Sequence, residues 1–231
     1  MSTTSNALYS PARFAAPARA LPATNVAIIG AGRVGTALAR SLVASGHEVT
    51  VVGSREPADI RLIVDVLAPG ARAMTMADAL ADADVVIVAV PLHRLDSLEH
   101  HLLKDTIVVD VMNYWEPIDG QLAEFADADR GTSLRVAERW PGARVVKAFN
   151  HIGYHDIESD SRPSGSRDRR ALAVASDDRE AAATVMTLVD DVGFDPLYAG
   201  PLHTGVSLEA GGAVFGVRLG KEELARLLVD G

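Results

Sequence analysis

The residues with the clearest chemical meaning form a glycine-rich turn near the start of the chain, residues 30–35, which read GAGRVG. The spacing G-x-G-x-x-G is typical of a turn that binds the pyrophosphate of a dinucleotide. Gly30 permits a tight turn, and Gly32 lets backbone N–H groups approach a phosphate without an intervening Cβ. Gly35 lets a following helix pack close to the preceding strand. A helix N-terminus at this position would favour a bound anion.

The segments on either side of the turn must position it. An apolar run, Val26 to Ile29, precedes the turn, and a second apolar run, Val49 to Val52, follows 14 residues after Gly35. Between them lies an amphipathic stretch in which apolar residues recur at helical spacing, namely Val34, Leu38, Leu42 and Val43. The order strand, turn, helix, strand is the context that favours a dinucleotide-binding unit over a glycine turn without a ligand.

The end of the second predicted strand indicates which dinucleotide binds. An NAD-binding unit usually carries Asp or Glu here, where the carboxylate holds the ribose 2′-hydroxyl. This chain has Gly53, Ser54 and Arg55 instead. A hydroxyl and a guanidinium suit a 2′-phosphate, because arginine binds phosphate through a planar, charge-assisted fork. We therefore expect NADP(H), although Glu56 could enter the ribose site and Arg55 could be a solvated loop residue.

Bulk composition restricts the class of protein. A chain of 231 residues with 48% hydrophobic residues can form one domain, or one domain with a small appendage. Its net charge of −9 argues against a nucleic-acid partner, and no apolar run approaches the roughly 20 residues that a membrane helix needs. The absence of cysteine excludes disulfides, thiolate catalysis and cysteine-ligated metals, and it agrees with a cytoplasmic location.

Residues 1–24 differ in composition from the rest of the chain. They are rich in Ala, Pro, Ser and Thr, with Arg13 and Arg19 but no acidic residue. A transit peptide can have this composition, but a disordered N-terminal extension is the interpretation that we favour. We expect residues 25–200 to form the nucleotide-binding domain and residues 201–231 to complete an acceptor pocket and a dimer interface.

The rest of the chain alternates between strand and helix patterns. The predicted strands are 73–76, 85–90, 106–111, 145–149, 171–175 and 194–198, with a turn at 199–202. The predicted helices are 57–67, 77–81, 95–103, 133–140, 178–189 and 222–229. This alternation predicts an α/β fold, a Rossmann-type doubly wound and mostly parallel sheet with a small C-terminal helical segment. Ligands bind such sheets at the carboxyl ends of the strands.

Three predicted strands end in residues that could line that ligand site, and these ends are Ala89-Val90-Pro91, residues 110–115 and residues 150–153. Pro91 has no N–H and stops its strand, which leaves nearby carbonyls free for ribose or amide contacts. The run His155, Asp156, Glu158, Asp160 could hold a metal, but its spacing is not diagnostic. We interpret this run as a solvated loop and predict no metal site.

Four segments together resemble the NADPH:coenzyme F420 oxidoreductase family. They are the turn GAGRVG, the stretch GHEVTVVGSR at 46–55, VVKAFNHIG at 145–153 and YAGPL at 198–202. The resemblance covers about residues 25 to 205. It implies a Rossmann domain with a small helical C-terminal part, often dimeric, that transfers a hydride between NADPH and a 5-deazaflavin.

The resemblance also implies roles for individual residues. Ser54 and Arg55 would hold the 2′-phosphate, and Ala89, Val90 and Pro91 would flank the nicotinamide ribose. The pyrophosphate would contact the glycine turn, namely Gly30, Ala31, Gly32, Arg33, Val34 and Gly35. The deazaflavin would be bordered by Met112, Asn113, Asn150, His151, Ile152, Pro201 and Leu202.

Direct hydride transfer needs no protein nucleophile, since donor and acceptor are both cofactors that the protein binds and orients. The reduced deazaflavin also takes up a proton, which His151, His93 or water could supply; His151 is the proton donor that we predict. Two other functions stay open at this point. One is an NADPH-dependent reductase of another acceptor, such as an imine or a ferric chelate, and the other is a non-catalytic NADP(H)-binding sensor.

Overall fold

The computed structural model describes residues 23–125 and 130–230. The predicted disordered extension, apart from residues 23 and 24, lies outside the described residues. The first half of the fold contains β1 (Asn25–Ile29), α1 (Arg33–Ala44), β2 (Glu48–Val52), α2 (Pro57–Leu67), β3 (Arg72–Ala73), α3 (Met76–Ala81) and β4 (Val85–Val88). Two 3₁₀ segments, Leu92–Ser97 and His100–Leu103, then lead into the second half.

The second half begins with β5 (Ile107–Asp110), α4 (Glu116–Asp119), α5 (Thr132–Arg139), β6 (Arg144–Lys147) and α6 (Asp156–Ser159). It ends with β7 (Ala171–Ala175), α7 (Arg179–Asp191), β8 (Asp195–Gly200), a 3₁₀ segment at Leu202–Leu208 and α8 (Lys221–Asp230). Local chemistry explains two helix starts that the sequence predicts. Pro57 occupies the first turn of α2, and the Asp178 carboxylate caps α7 by accepting the N–H groups of Glu180 and Ala181.

The strands form one sheet in the order β3-β2-β1-β4-β5-β6-β7-β8. Every neighbouring pair is parallel except β6 and β7, which are antiparallel. The predicted Rossmann-type, mostly parallel α/β fold is confirmed. The strand order reverses between β1 and β4, so the carboxyl ends of these two strands flank the crevice where a doubly wound sheet binds its ligand.

Helices and 3₁₀ segments bury both faces of this sheet. On one face, α1, α2 and α7 cover a core that includes Ile28, Val51, Val109 and Phe194. On the other face, α3, α5 and the 3₁₀ segments cover Ala27, Ile29, Val86 and Val108, with Trp140 at the centre. A third, smaller cluster joins β7 to the C-terminal segment through Leu208, Val214, Leu219 and Leu224. In the described ranges, no helix is long and apolar enough to cross a bilayer.

Two local predictions are wrong. The helix expected at 95–103 is replaced by two 3₁₀ segments, with Leu98 extended between them. Leu92 and Leu95 are both buried, and a 3₁₀ turn places residues three apart on one face, so the short turn suffices to bury them. The turn expected at 199–202 starts later, because β8 continues to Gly200 and is stopped by Pro201.

Candidate dinucleotide and hydride-acceptor site

The glycine turn has the geometry that its spacing predicts. Gly30 has φ +125°, and a Cβ on it would lie 2.3 Å from the Ala89 carbonyl oxygen at the end of β4. A Cβ on Gly35 would lie 1.9 Å from the carbonyl oxygen of Gly30. Both glycines are therefore required for close packing of β1, α1 and β4. At Gly32 an added Cβ would meet no atom within 4 Å, so this glycine faces open space.

The start of α1 suits a bound anion. The helix has neither a side-chain cap nor an acidic residue in its first turn. Thr36 donates its N–H to the Gly32 carbonyl at 2.9 Å and is the first residue of the helical ladder. The N–H groups of residues 33–35 precede that ladder and point out of the helix end beside the open face of Gly32. A pyrophosphate could accept hydrogen bonds from these N–H groups and occupy the space that a side chain at Gly32 would fill.

The end of β2 suits a 2′-phosphate. A Cβ on Gly53 would lie 2.9 Å from the Ile60 side chain, so an acidic side chain of the NAD type at this position would require Ile60 to move. Ser54 and Arg55 are exposed, and within residues 23–125 and 130–230 Arg55 forms no ion pair or side-chain hydrogen bond. Arg61, by contrast, lies 3.7 Å from Asp65 on the outer surface of α2. Arg55 is thus the cation beside this strand end that is available for a phosphate.

The ends of β4, β5 and β6 lie side by side at the same edge of the sheet, called here the carboxyl edge. Ala89 and Val90 are half-buried and Pro91 is exposed at the end of β4. Met112 is buried after β5, and Ile152 is buried after β6. Two exposed aromatic side chains adjoin these ends, Trp115 at 53% exposure after β5 and Phe215 at 36% in the C-terminal segment. The structure therefore brings most of the predicted acceptor residues together.

Two asparagines join the ends of β5 and β6. The Asn113 side chain donates to the Asn150 carbonyl at 2.8 Å, and Asn150 Nδ2 donates to Asn113 Oδ1 at 3.1 Å. Asn150 Nδ2 also lies 2.7 Å from the Leu208 carbonyl oxygen. Phe149, just before Asn150, has φ +59°, a left-handed conformation that is rare for a bulky residue. The amide groups thus hold the ends of β5 and β6 together at the carboxyl edge.

A buried ion pair at the ends of β5 and β6 was not predicted. Lys147 and Asp110 have no exposed side-chain area, and Lys147 Nζ lies 3.2 Å from Asp110 Oδ2. Lys147 Nζ also donates to the Met112 carbonyl at 2.6 Å, while Asp110 Oδ1 accepts the Met112 N–H at 2.9 Å. The pair fixes the backbone of Met112 from both sides. Its signal in the sequence was a charged residue directly after the apolar residues of each strand, Asp110 after 107–109 and Lys147 after 145–146, because a buried charge requires a partner.

Glu209 ties the C-terminal segment to the same network. Its Oε1 accepts the N–H and the hydroxyl of Thr132 at 2.7 and 2.8 Å, at the start of α5. The Thr132 hydroxyl in turn lies 3.2 Å from Lys147 Nζ. The carboxylate therefore occupies the helix N-terminus, where a negative charge is favoured. These contacts link Glu209, directly after the 3₁₀ segment Leu202–Leu208, to the floor of the carboxyl edge.

His151 is buried, and its contacts argue against the predicted role of proton donor. Nε2 accepts the N–H of Ala173 at 3.1 Å, and Nδ1 lies 3.4 Å from Asn150 Oδ1. Burial, together with the positive charges of Arg170 and Lys147, lowers the pKa of His151 to about 3. The imidazole is therefore uncharged near neutral pH, and both nitrogens face protein groups. The proton role stays untested, but this geometry gives the ring a structural task.

A second buried cation anchors the last part of the C-terminal segment. Arg170 is 2% exposed and donates to Asp160 at 2.9 Å and to the Val217 carbonyl at 3.1 Å. Nearby, the Gly216 N–H donates to the His151 carbonyl at 3.0 Å. No sequence pattern indicated the two contacts with the C-terminal segment, because Val217 is 47 positions from Arg170 and Gly216 is 65 positions from His151. They place Phe215 and Val217 beside the end of β6.

Pro201 and Leu202, which were predicted to border the acceptor, do not lie at this edge. Gly200 pairs with Ala175, and Ala175 pairs with Lys147 across the antiparallel β6–β7 junction. Because β7 and β8 run opposite to β6, the chain leaves β8 toward the amino end of β6. There Leu202 lines an open groove of about 620 Å³ with Arg144, and its N–H donates to Asp177. Residues 208–217 occupy the predicted position instead.

The acidic run after β6 forms ion pairs. Glu158 pairs with Arg40 of α1, and Asp160 pairs with Arg170 and Arg218. In the part of the chain that the structure describes, no group of three or more side chains is arranged to hold a metal ion. The run therefore fastens α6 to its neighbours.

Comparison with known proteins agrees with this geometry. Residues 25–114 match the family model described as NADP oxidoreductase, coenzyme F420-dependent. The crystal structure of the hypothetical protein SMa0349 from Sinorhizobium meliloti is 31% identical, has a TM-score of 0.71, and aligns over 86% of this chain and 96% of that one. The chain belongs to the coenzyme F420-dependent NADP oxidoreductase family. This membership supports an NADP-dependent oxidoreductase class.

More distant structures share the fold. A proposed F420-dependent NADP-reductase from Arthrobacter sp. FB24 aligns over 86% of this chain and all of that chain, at 23% identity and a TM-score of 0.65. An imine reductase from Pseudomonas sp. aligns over 78% of this chain but 56% of its own, at 19% identity and a TM-score of 0.55. The curated Escherichia coli protein YjhV is 46% identical over 46 residues, so the chain matches 34% of the length of that relative.

Proposed function

We propose that this member of the F420-dependent family transfers a hydride between NADPH and a 5-deazaflavin, coenzyme F420. The observation that carries the proposal is the open, uncapped start of α1 together with Arg55, which is exposed and has no ion-pair partner among the described residues. This combination favours a dinucleotide with a 2′-phosphate, on a fold whose family is named for both cofactors. The acceptor is the part of the proposal that rests on the family and on the apolar carboxyl edge.

The NADPH side of the site depends on backbone more than on side chains. The N–H groups at the start of α1 and the cleared space at Gly32 would hold the pyrophosphate. Arg55 and the Ser54 hydroxyl would hold the 2′-phosphate through charge-assisted hydrogen bonds. Ala89, Val90 and Pro91 would border the nicotinamide ribose at the end of β4.

The acceptor side consists of rigid apolar groups. Met112 and Ile152 are buried at the ends of β5 and β6, and Trp115 and Phe215 present aromatic surface beside them. Bound NADPH supplies a hydride, so the task of the protein is to hold two ring systems about 3–3.5 Å apart and to exclude water. Such positioning can lower a barrier by about 7–11 kcal/mol. The Lys147–Asp110 pair and the Asn113–Asn150 pair supply the rigidity that this positioning requires.

The test is to mix the protein with NADPH and oxidised coenzyme F420 and to follow the deazaflavin absorbance. We expect the absorbance to fall with NADPH and to fall much more slowly with NADH, because NADH has no 2′-phosphate for Arg55 to bind. A matched reaction with F420 and protein but no nicotinamide cofactor controls for bleaching. If neither NADPH nor NADH changes the absorbance, the proposed acceptor is wrong.

Two further outcomes would indicate a different function. Oxidation of NADPH by an imine or a ferric chelate, without any reaction of F420, would indicate a reductase with another acceptor. Tight NADPH binding without turnover across the acceptor panel would indicate a sensor module. Neither alternative has an observation in the structure that favours it over hydride transfer to a deazaflavin.

A further inference from the structure

Reduction of a deazaflavin needs a proton as well as a hydride. The hydride carries two electrons from the nicotinamide C4 to the deazaflavin C5, and a proton must then reach a ring nitrogen of the acceptor. Near neutral pH, histidine is the side chain best suited to give or take that proton. The question is which of the seven histidines lies at the carboxyl edge with a free ring nitrogen.

Four histidines are excluded by their place in the fold. His47 precedes β2, and His100 and His101 precede β5, so all three lie at the amino edge of the sheet. His203 follows β8 and lies on the segment that begins beside Arg144, again away from the carboxyl edge. His151 is at the carboxyl edge, but it is buried and both its ring nitrogens face protein groups.

Two histidines remain, and their surroundings differ. The His155 ring lies 3.8 Å from the Tyr154 ring, and the Tyr154 hydroxyl accepts a hydrogen bond from Arg33 at 3.3 Å, so His155 lies on the pyrophosphate side with α1. Among the described residues His155 has no carboxylate to orient its ring. His93 has one. Its Nδ1 lies 3.2 Å from Asp119 Oδ1, and its side chain remains 38% exposed.

The Asp119 carboxylate is well placed to orient that ring. It is 2% exposed, and Oδ1 also accepts the His93 backbone N–H at 3.4 Å. The other oxygen, Oδ2, accepts the Trp115 N–H at 3.0 Å. One buried carboxylate therefore joins the loop after β4 to the loop after β5, the two loops beside the nicotinamide and acceptor positions. With Nδ1–H bonded to the carboxylate, His93 Nε2 is the nitrogen that faces outward.

We infer that His93, oriented by Asp119, is the proton donor to the reduced acceptor and the proton acceptor in the reverse direction. The inference rests on the proposed function. In the forward direction the N–H bond at His93 Nε2 breaks and an N–H bond forms on the deazaflavin. The nicotinamide is oxidised and the deazaflavin is reduced by the hydride, and His93 regains its proton from water. Asp119 is a positioning residue, because it acts through the ring of His93.

The test compares His93→Asn with His155→Asn. An asparagine amide can still donate to Asp119, so His93→Asn keeps the link between the loops and removes only Nε2. In single-turnover reduction of F420 by NADPH we expect the rate to fall about 100-fold, the lower end of general acid catalysis. His155→Asn should keep the wild-type rate. The dissociation constants of NADPH and F420, measured by fluorescence titration, should be unchanged in both variants.

Two measurements separate a proton donor from a structural residue. Imidazole in solution should restore part of the rate of His93→Ala, which loss of a structural contact would not permit. In protein labelled with ¹⁵N-histidine, the His93 Nε2 resonance should shift when oxidised F420 is added, and the His155 resonances should not. Rates of His93→Asn equal to wild type, an equal loss in His155→Asn, or no shift at His93 would each overturn the inference.

Failure of the proposed function is distinguishable from failure of the inference. If the wild-type protein does not reduce F420, the proposed function fails and the role of His93 fails with it. If the wild-type protein is active and His93→Asn is equally active, only the inference fails, and water is the proton source.

Discussion

At the scale of single residues, the charged side chains at the carboxyl edge fall into two groups. Lys147, Asp110 and Arg170 are buried and bonded on several sides, so they hold backbone in place. Arg55 is exposed and unpaired among the described residues, so its charge is available to a ligand. Burial and bonding thus distinguish the residues that hold the site in shape from a residue that can bind a ligand.

Replacing Arg55 with alanine tests its assignment to the 2′-phosphate. Arg55→Ala should weaken NADPH binding by roughly 1.5–3 kcal/mol, the cost of a lost charge-assisted contact, and should leave NADH binding nearly unchanged. Fluorescence titration with both cofactors measures the two losses. Arg61→Ala is the matched control, since Arg61 already faces Asp65, and it should have little effect on either cofactor. Equal losses for NADPH and NADH in Arg55→Ala would reject the phosphate role.

At the scale of elements, Gly32 and Gly35 have different roles at the junction of β1 with α1. Gly35 is needed by the fold, because its Cβ would collide with the carbonyl of Gly30, whereas Gly32 has free space around it. Gly32 also has φ −84° and ψ −171°, a backbone conformation that alanine adopts readily. The structural requirement and the ligand requirement can therefore be tested separately.

We expect Gly35→Ala to destabilise the protein by at least about 1–3 kcal/mol, because α1 must move away from β1. Gly32→Ala should change the free energy of unfolding by less than about 0.5 kcal/mol, as surface substitutions commonly do. It should nevertheless weaken the binding of NADPH, since the new methyl group would occupy the space assigned to the pyrophosphate. Urea denaturation and NADPH titration of both variants provide the comparison. Normal NADPH affinity in Gly32→Ala would place the pyrophosphate elsewhere.

At the scale of the whole molecule, the C-terminal segment is fastened to the sheet by hydrogen bonds to buried groups. Three hydrogen bonds join residues that are distant in sequence: Asn150 bonds the Leu208 carbonyl, Thr132 bonds Glu209, and Arg170 bonds the Val217 carbonyl. His151 is buried next to these contacts, and its Nε2 must remain unprotonated in order to accept the Ala173 N–H. The stability of the molecule should therefore depend on the protonation of this one ring.

The sign of the pH dependence follows from the lowered pKa of His151. Folding lowers this pKa from 6.5 to about 3, so below pH 6.5 the unfolded chain binds the proton and the folded chain does not. Stability should fall as the pH is lowered, by on the order of 2 kcal/mol between pH 7 and pH 5. His151→Gln, whose side-chain oxygen can still accept the Ala173 N–H, should lack this part of the pH dependence.

Urea unfolding at several pH values measures the effect, and the window from pH 5 to 6.5 suits it best, because the lowered pKa values of Glu138 and Glu158 reduce stability mainly below their ordinary value of 4.5. The Arg144 hydrogen bond, followed by that of the Ala181 N–H, lowers the pKa of Asp178 to about 2. The stability that Asp178 contributes is present above its ordinary pKa of 3.8 and is lost only as the pH falls toward 2. An identical pH dependence in the wild type and in His151→Gln would contradict the assignment.

The sequence by itself determined the features that depend on local pattern. The glycine spacing, the apolar strands and the Ser54-Arg55 ending were enough to predict the fold, the pyrophosphate turn and the preference for a 2′-phosphate. Each of these follows from neighbouring residues, because turn geometry and side-chain periodicity are local properties of the backbone. The strand ends that would border the acceptor were predictable for the same reason, up to β6.

Tertiary structure alone decided which other residues lie at the carboxyl edge. The reversal of direction between β6 and β7 carried Pro201 and Leu202 to the opposite end and brought residues 208–217 to the carboxyl edge. Packing of β7 against β6 also buried His151. The parallel pairing of β4, β5 and β6 brought Lys147 to Asp110 and Asp119 to His93. These outcomes depend on which distant residues meet in space, and neither the spacing nor the type of a residue specifies its long-range partners.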